Sequence, residues 1–415
     1  MIDPVRRFGE LAASYDRMFW LDGGGSRSWS GRRSILGYLR DEDVSLTYDA
    51  AAREVRRHAK GTVDVVGDDP FAVLAEHVAR DGGDPSVSWV GYFGYAARPD
   101  LPASTGSGVP DAVWMRVRDP LFVTHDEVAR PHAPPASVAS AVPDEYAAAF
   151  ATVQQQLRLG NSYEVNLTYR EAVACDVPPV EAYLRLRAAS PAPYAGYLQH
   201  EGVHLLSSSP ERFATVGRDG WVETKPIKGT TPRGGTAEDD ERLRTDLATD
   251  PRFRAENLMI VDLLRNDVSM VCDPGTVEVP TLMEVESYET VHQLVSTVRG
   301  RLRGGIGTVE ALRSLFPAGS RTGAPKLRTM QVIEEVEGSP RGVYAGAFGW
   351  VGADGRADLG VVIRSLVAQR DGTGWRYELG TGGGITVRSE VEAEYAETRW
   401  KAERLRAAVR APGRA

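Results

Sequence analysis

The sequence predicts an α+β fold in which large antiparallel β-sheets pack against each other and are flanked by helices. Segments with the aromatic and β-branched content of strands occur at residues 203–209, 343–351, 358–370 and 375–384. Glycines separate these segments, and the segments follow one another without strict alternation with helices. A doubly wound parallel sheet would require that alternation, so antiparallel sheets are favoured.

Composition and charge restrict the classes of function. The 415 residues are 42% hydrophobic and 26% charged, which is typical of a globular protein with a large core. The net charge of −8 gives no basic field that would attract nucleic acid or an anionic membrane surface. Cys175 and Cys272 are too few for a disulfide framework, and residues 1–10 lack a signal peptide's apolar run. We therefore expect a cytoplasmic protein without a membrane or nucleic-acid partner.

The chain is predicted to consist of two regions. A stretch rich in proline, alanine and serine, Arg130–Pro143, is typical of a linker or an extended surface connection. It divides an N-terminal region, residues 1–143, from a C-terminal region, residues 144–410, that is followed by a tail at 411–415. We expect the N-terminal region to be interleaved with the core sheets.

Local patterns predict individual elements on either side of that division. Upstream, Ser88–Ala96 and Pro120–Val128 have strand composition. Downstream, Asp144–Leu159 has helical periodicity and is followed by Gly160, a residue type that commonly ends helices. The next segment, Ser162–Arg170, alternates as a strand with one buried face does.

A helix is predicted to begin at Asp250-Pro251, because aspartate caps helix N-termini and proline is favoured at the first helical position. Glu256 then shares a face with Met259, Ile260 and Leu263. A carboxylate in an apolar stripe is costly to bury without a partner. Two interpretations remain open at this point: an ion pair at the edge of the core, or a metal ligand.

A C-terminal helix is predicted to begin at Ser389, with Glu392 completing a capping box. One face of this helix carries Glu390, Glu394, Glu397 and Lys401. A surface salt bridge between Glu397 and Lys401 is one interpretation. The other follows from the glycine run at 380–385, which would let backbone N–H groups approach an anion. Carboxylates beside such a run favour a site in which Mg²⁺ is bound both by the protein carboxylates and by a carboxylated substrate.

Several motifs together resemble the chorismate-utilising enzymes, a family that includes the anthranilate synthase large subunit, aminodeoxychorismate synthase component I, isochorismate synthase and salicylate synthase. In chain order the motifs are YEVNLTYR, SSSPERF, KPIKGTTPRG, AENLMIVDLLRND, ETVHQLVSTVRG, GAPKLRTMQVIEE, GAFGWV, GTGGGI and EAEYAETRWKA. They cover roughly residues 145–405. Weaker matches, including FWLDGGG at Phe19–Gly25, extend to the N-terminus, where related subunits form an aromatic amino-acid pocket.

The resemblance implies roles for individual residues. Glu211 matches the general acid, and His292 matches a histidine beside the reacting ring of chorismate. The Mg²⁺ ligands correspond to Glu256 and Glu397, with Glu394 nearby. The residues matched to substrate binding are Gly229, Thr230, Tyr344, Arg364, Gly382, Gly383, Gly384 and Lys401. Taken alone, Arg364 would be interpreted as part of a salt bridge and His292 as a core histidine.

Lys228 decides between the members of the family. It lies in a Pro-Ile-Lys-Gly-Thr motif that resembles the aminodeoxychorismate synthases, whereas anthranilate synthases typically have alanine there. Glu164 stands where isochorismate and salicylate synthases have a water-activating lysine. The resemblance implies that the Lys228 amine attacks C2 of chorismate and expels the C4 hydroxyl, after which ammonia adds at C4. The alternatives are an anthranilate synthase or a 2-amino-2-deoxyisochorismate synthase of the same fold, or a catalytically silent binding subunit.

This chemistry imposes requirements on the surroundings. A free lysine is almost fully protonated at pH 7, so we expect burial or a neighbouring cation, such as Lys225, Arg233 or Mg²⁺, to favour the neutral amine of Lys228. Glu211 must stay protonated, so we expect it to be desolvated. Arg321 departs from the family pattern and is expected not to touch a catalytic position. The sequence contains no glutaminase motifs, so a separate glutamine amidotransferase subunit is the expected ammonia source.

Overall fold

The computed structural model describes residues 3–25, 33–125, 141–288 and 291–410. Its strands are β1 (Arg17–Asp22), β2 (Arg33–Tyr38), β3 (Ser45–Asp49), β4 (Glu54–Ala59), β5 (Thr62–Gly67), β6 (Val87–Phe93), β7 (Ala112–Arg118), β8 (Leu121–Thr124), β9 (Glu164–Cys175), β10 (Tyr194–His200), β11 (Val203–Ser209), β12 (Arg212–Val216), β13 (Trp221–Lys225), β14 (Ile227–Pro232), β15 (Glu278–Ser287), β16 (Val291–Arg301), β17 (Gly323–Ala324), β18 (Ala347–Gly352), β19 (Ala357–Val361), β20 (Ser365–Asp371) and β21 (Gly374–Ile385).

The helices lie mainly between and after these strands. They are α1 (Pro4–Ser14), α2 (Pro70–Arg80), α3 (Asp144–Arg158), α4 (Pro179–Ala189), α5 (Ala237–Thr249), α6 (Pro251–Ser269), α7 (Thr308–Leu315), α8 (Lys326–Val336) and α9 (Val391–Val409). Within the described part of the chain, none of them is long and apolar enough to cross a membrane. Most of the predicted linker, Arg130–Pro143, and the predicted tail at 411–415 lie outside the described residues.

The strands form two antiparallel sheets, which confirms the predicted α+β class. One sheet has the order β17-β9-β21-β20-β11-β10-β1-β2-β8. The other has the order β14-β16-β13-β12-β19-β18-β6-β7-β3-β4-β5, and β15 pairs with β16 beside this path. Early and late segments are neighbours in both sheets, because β1 pairs with β10 and β6 pairs with β18.

Apolar side chains fill the space between the sheets and beneath the helices. The cluster between the sheets includes Phe19 and Leu205 from one sheet and Tyr92 and Phe348 from the other. A second cluster joins the outer face of the first sheet to α1, α4 and α9. A third joins the second sheet to α2, α6 and α7. The architecture is therefore a pair of packed sheets with helices on both outer faces.

The predicted element boundaries hold in most places. Strand β6 overlaps the predicted Ser88–Ala96 segment, and α3 stops beside Gly160, whose φ is +77°. Asp250 caps α6 through a hydrogen bond from the Arg252 N–H group at 2.7 Å. The prediction of a single buried face for Ser162–Arg170 is wrong in part, because Glu164–Thr168 are all buried.

The predicted capping of the C-terminal helix by Ser389 is wrong. Helix α9 begins at Val391, with Glu390 at the N-cap position and no capping side-chain hydrogen bond. The Ser389 hydroxyl instead accepts a hydrogen bond from the Thr386 N–H group at 3.1 Å. That bond uses the serine to close the turn between β21 and α9, so the N-cap position is one residue later than predicted.

Helix α6 offers a test of how its packing stabilises the fold. Ile260 is 0% exposed against the second sheet, whereas Leu258 on the same helix is 54% exposed. We expect Ile260→Ala to lower the free energy of unfolding by about 2–5 kcal/mol. Leu258→Ala should change it by less than about 0.5 kcal/mol. Urea unfolding followed by circular dichroism measures both, and equal losses in the two variants would contradict this packing.

Candidate active site

A cavity of about 390 Å³ lies where β14, β21, α6 and α9 meet. Its lining brings together residues from segments that are far apart in the sequence. The predicted site residues in the lining are Glu211, Lys228, Gly229, Thr230, Glu256, Tyr344, Arg364, Gly382, Gly383, Gly384, Glu394, Glu397 and Lys401. Only His292 of the predicted set is not among the lining residues.

An irregularity in β14 places Lys228 at this cavity. The pairing of β14 with β16 shifts register between Ile227 and Thr230, as at a β-bulge. Gly229 lies inside the shift with φ +91°, a backbone conformation that favours glycine. A Cβ atom on Gly229 would also lie 2.9 Å from Leu247 Cδ1 and 3.0 Å from Phe253 Cγ. The glycine of the Lys-Gly pair in the sequence motif is therefore required by the local backbone.

Lys228 forms an ion pair with Glu164, the first residue of β9. The Lys228 Nζ atom donates a hydrogen bond to Glu164 Oε1, and the two side chains are 8% and 1% exposed. The Glu164 Oε2 atom is buried and has no hydrogen-bond partner among the described residues. The Glu164 carboxylate therefore lies at hydrogen-bond distance from the Lys228 amine and can accept a proton from it. The second carboxylate oxygen, Oε2, is still available for a further hydrogen bond.

Of the alternatives predicted for Lys228, burial or a neighbouring cation, the structure does not support Lys225 or Arg233 as that cation. The Lys225 ammonium pairs with Glu286 at 2.7 Å, and the Arg233 guanidinium pairs with Asp240 at 2.5 Å. The bulge explains the difference, because it turns Lys228 toward β9 and away from the residues that flank it in sequence. Burial is confirmed as predicted, but the neighbour is a carboxylate instead of a cation.

The glycine run of β21 covers this ion pair closely. A Cβ atom on Gly384 would lie 2.3 Å from Glu164 Oε1 and 3.1 Å from Lys228 Nζ. A Cβ atom on Gly383 would lie 3.1 Å from Glu394 Oε2. The pairing of β21 with β9 continues to Ile385, whereas its pairing with β20 extends only to Leu379. The backbone edge of this run that does not pair with β9 therefore lines the cavity. A residue larger than glycine at position 383 or 384 would crowd the neighbouring carboxylates.

Glu211 is buried beside β12, as predicted, but its carboxylate has hydrogen-bond partners that were not predicted. Its side chain is 3% exposed, so the predicted desolvation is confirmed. However, the Arg321 Nη2 atom donates to Glu211 Oε2 at 2.7 Å, and the Ser320 hydroxyl donates to Glu211 Oε1 at 2.5 Å. The expectation that Arg321 does not touch a catalytic position is wrong, because the turn 319–321 folds back onto β12.

Carboxyl groups repel one another across the cavity. Burial raises the pKa of Glu256 to about 7, and the positive charge of Lys228 opposes this rise. The neighbouring carboxylates of Glu164 and Glu394 add to it. Burial also raises the pKa of Glu394. These groups are oxygen donors of the kind that a hard divalent cation such as Mg²⁺ prefers, and a cation would relieve their repulsion.

The predicted metal ligands are not assembled as a formed site. In the part of the chain that the structure describes, no three His, Cys, Asp or Glu side chains are grouped closely enough to hold a metal ion. The Glu397 carboxylate instead pairs with Lys401 Nζ at 2.8 Å, and Lys401 lowers the pKa of Glu397. Glu256, Glu394 and Glu397 therefore fit a cation by their chemistry and their place in the cavity lining.

Comparison with known proteins identifies the family. Residues 126–407 match the family model described as chorismate binding enzyme. The chain is a chorismate-binding enzyme. Curated relatives include aminodeoxychorismate synthase of Streptomyces pristinaespiralis, 37% identical over 98% of this chain and 64% of the relative. Anthranilate synthase component 1 of Streptomyces coelicolor is 35% identical over 89% of this chain and 83% of the relative.

A solved structure supports the same conclusion. Anthranilate synthase component I from Streptococcus pneumoniae has a TM-score of 0.74 and 26% identity, covering 92% of this chain and 93% of its own. The chain spans 64% and 62% of the lengths of the aminodeoxychorismate synthases from S. pristinaespiralis and S. griseus. The predicted fold and family are thereby confirmed for this chorismate-binding enzyme.

His292 lies outside the cavity lining of the chorismate-binding enzyme. It is 0% exposed within β16, where its Nδ1 atom contacts the Ser287 hydroxyl at 2.8 Å. Its Nε2 atom contacts Asp240 Oδ1 at 3.1 Å. The adjacent residue, Gln293, lines the cavity instead. The structure does not bring His292 together with the other predicted residues, and its role beside the reacting ring stays a prediction.

Several lining residues were missed by the sequence analysis. They are Asn166, Arg252, Phe253, Gln293, Arg321 and Trp400. Arg252 and Phe253 lie one helical turn before Glu256, and Trp400 is adjacent to Lys401, so helical spacing could have indicated them. Asn166 lies two residues after Glu164 in β9, which places both on one face of the strand. No comparable spacing in the sequence indicated that Arg321 would line the cavity.

A second cavity, of about 600 Å³, lies between the sheets and includes the FWLDGGG segment. Leu21, Asp22 and Gly23 line it together with Tyr194 and Trp350. That this cavity is the predicted aromatic amino-acid pocket stays a prediction.

Gly384 provides a test of the cavity geometry. We expect Gly384→Ala to lower chorismate turnover by about 10²-fold, because its Cβ atom would displace Glu164 from Lys228. Gly304→Ala is the matched control, since a Cβ atom on Gly304 meets no atom within 4 Å. Steady-state kinetics and circular dichroism on both variants check this. Unchanged turnover in Gly384→Ala would contradict the close contact.

Proposed function

We propose that this chain aminates chorismate at C4, producing 4-amino-4-deoxychorismate with ammonia from a separate glutaminase subunit. The observation that carries the proposal is the buried Lys228–Glu164 pair in the cavity. The names of the S. pristinaespiralis and S. griseus relatives support the same activity. The component name of the 41% identical relative from Klebsiella aerogenes supports a partner subunit.

Proton transfer is the first requirement of the proposed reaction. The Lys228 ammonium cannot attack until it loses a proton, and Glu164 is placed to accept that proton from Nζ. The neutral amine then forms a bond to C2 of chorismate. The two ring double bonds shift, and the C4 hydroxyl leaves as water with a proton from Glu211. Ammonia adds at C4, the double bonds return, and the lysine amine leaves C2.

Substrate binding requires positive charge, because chorismate carries two carboxylates. The cationic side chains in the cavity lining are Lys228, Arg252, Arg321, Arg364 and Lys401. The backbone edge of β21 adds N–H donors beside them. We assign Glu256, Glu394 and Glu397 as the residues that would hold Mg²⁺. When bound, Mg²⁺ would supply a positive charge for the ring carboxylate.

A second candidate function is formation of anthranilate by the same fold. It is favoured by the 35% identity with the S. coelicolor anthranilate synthase component 1, of which this chain covers 83%. The two functions differ in the carbon that receives nitrogen, C2 or C4. A buried lysine at position 228 favours C4, because the amine occupies the space that ammonia would need beside C2.

Product identity with ammonium as the nitrogen source tests the proposal. The isolated chain, given chorismate, Mg²⁺ and an ammonium salt, should form a product that an added aminodeoxychorismate lyase converts to para-aminobenzoate. We expect Lys228→Ala to lower C4 amination by at least about 10³-fold. Lys225→Ala is the matched control, because Lys225 pairs with Glu286 and lies outside the cavity lining. Anthranilate as the wild-type product would refute C4 amination.

Glu164 offers a separate test of proton transfer. Glu164→Gln keeps the size and hydrogen bonding of the side chain but cannot hold the lysine proton. We expect kcat to fall by about 10²–10⁴-fold, with little change in KM. Steady-state kinetics measures both constants, and an unchanged kcat in Glu164→Gln would show that Glu164 is not the acceptor.

A further inference from the structure

We propose that Arg170 is a positioning residue for the substrate. It holds the Tyr344 ring at the wall of the catalytic cavity and places a positive charge behind that ring, where a substrate carboxylate is attracted to it. This inference rests on the proposed function in one respect, the binding of chorismate in this cavity. Arg170 itself is not among the residues that line the cavity, whereas Tyr344 is.

Strand pairing places Arg170 and Tyr344 together over Gly380. In the register of β9 and β21, Arg170 lies directly opposite Gly380, so their Cβ positions share one face of the sheet. A Cβ atom on Gly380 would lie 2.4 Å from Arg170 Nη1 and 2.2 Å from Tyr344 Cγ. The guanidinium carbon of Arg170 lies 4.6 Å from the centroid of the Tyr344 ring. Because Gly380 and Tyr344 line the cavity, Arg170 lies immediately behind its wall.

The Arg170 guanidinium is buried with incomplete hydrogen bonding. Its side chain is 7% exposed, and its Nε and Nη1 atoms have no hydrogen-bond partner among the described residues. The Nη2 atom donates to the Thr168 hydroxyl and, at 3.3 Å, to Glu337 Oε2. Buried polar groups are normally hydrogen-bonded, and leaving them unpaired lowers stability. Stability of the fold alone therefore does not explain an arginine at this position.

The carboxylate of Glu337 is already occupied by a second arginine. The Arg341 Nη2 atom donates to Glu337 Oε1 at 2.6 Å, and the Arg341 Nε atom donates to Glu337 Oε2 at 2.9 Å. The Thr168 N–H group and hydroxyl also donate to Oε1, at 2.9 and 2.8 Å. Among the described residues, Glu337 is the carboxylate within ion-pair distance of Arg170, and Glu378 attracts it only from farther away. Two arginines thus share one carboxylate, which leaves an excess of positive charge.

The same network fixes the backbone that carries Tyr344. The Tyr344 N–H group donates to the Arg341 carbonyl oxygen at 3.1 Å, and Arg341 Nη1 donates to the Arg321 carbonyl oxygen at 2.7 Å. A desolvated cation over the face of an aromatic ring attracts that ring. Arg170 therefore restrains the Tyr344 ring against the cavity wall. A carboxylate of chorismate bound beside this ring would neutralise the excess charge behind it.

Kinetics with chorismate test this role in Arg170→Met, which keeps the length of the side chain and removes its charge. We expect the KM for chorismate to rise by about 10-fold, while kcat changes by less than about 2-fold. Arg170→Lys keeps the charge and should restore most of the affinity. Arg376→Met is the matched control, because Arg376 is exposed on β21 and lies outside the lining of the catalytic cavity. An unchanged KM in Arg170→Met would overturn the inference.

A double-mutant cycle shows whether Arg170 acts through Tyr344. In a Tyr344→Leu background, Arg170→Met should raise the KM by only about 3-fold, because the ring that it restrains is gone and only the effect of charge remains. An equal rise in both backgrounds would overturn positioning through Tyr344. Circular dichroism checks folding, and Arg170→Gln takes the place of Arg170→Met should that variant not fold. A wild-type KM in Tyr344→Leu alone would also overturn the inference.

Failure of this inference is distinguishable from failure of the proposed function. The KM is measured from the loss of chorismate absorbance, so it is obtained whichever ring carbon receives nitrogen. Anthranilate as the product would refute C4 amination and leave the comparison of KM values valid. An unchanged KM in Arg170→Met, with para-aminobenzoate still formed in the coupled assay, would overturn the role of Arg170 alone.

Discussion

The active site depends on one buried ion pair, formed by Lys228 and Glu164. Placing two charges away from water is costly, so such a pair persists only where its geometry is well determined. Here the bulge at Gly229 directs the lysine, the first residue of β9 supplies the carboxylate, and Gly384 leaves room for both. A side chain at either glycine would disturb the pair. Gly229 and Gly384 are therefore tied directly to the chemistry proposed for the lysine.

The remaining charges of the cavity are arranged around that pair. Carboxyl groups from α6 and α9 face each other, and burial together with their repulsion raises the pKa of Glu256 to about 7. Cationic side chains from five segments line the same space. A ligand that carries two negative charges, together with a divalent cation, matches this distribution better than either would alone. This charge distribution is the reason for proposing a dianionic substrate bound together with a metal ion.

The sequence predicted the fold class and half of the cavity lining, because glycine runs, helix caps and ordered motifs are local signals. Asp250 and Gly160 show that local rules were correct at two element ends. Contacts between distant segments could not be predicted in this way. The Lys228–Glu164 pair depends on the register of two sheets, and the Arg321–Glu211 pair depends on a turn that folds back over β12. The cap predicted at Ser389 failed because its hydroxyl bonds a preceding turn.

The central claim is that the Lys228 amine bonds to the substrate ring. The most direct measurement is peptide mass spectrometry of the wild-type enzyme after incubation with chorismate and Mg²⁺ without ammonia, followed by acid quenching and proteolysis. The account predicts that the peptide containing Lys228 gains the mass of chorismate less one water, and that this mass disappears when ammonium is added before quenching. An enzyme that consumes chorismate with ammonium but never carries this mass at Lys228 would contradict the account.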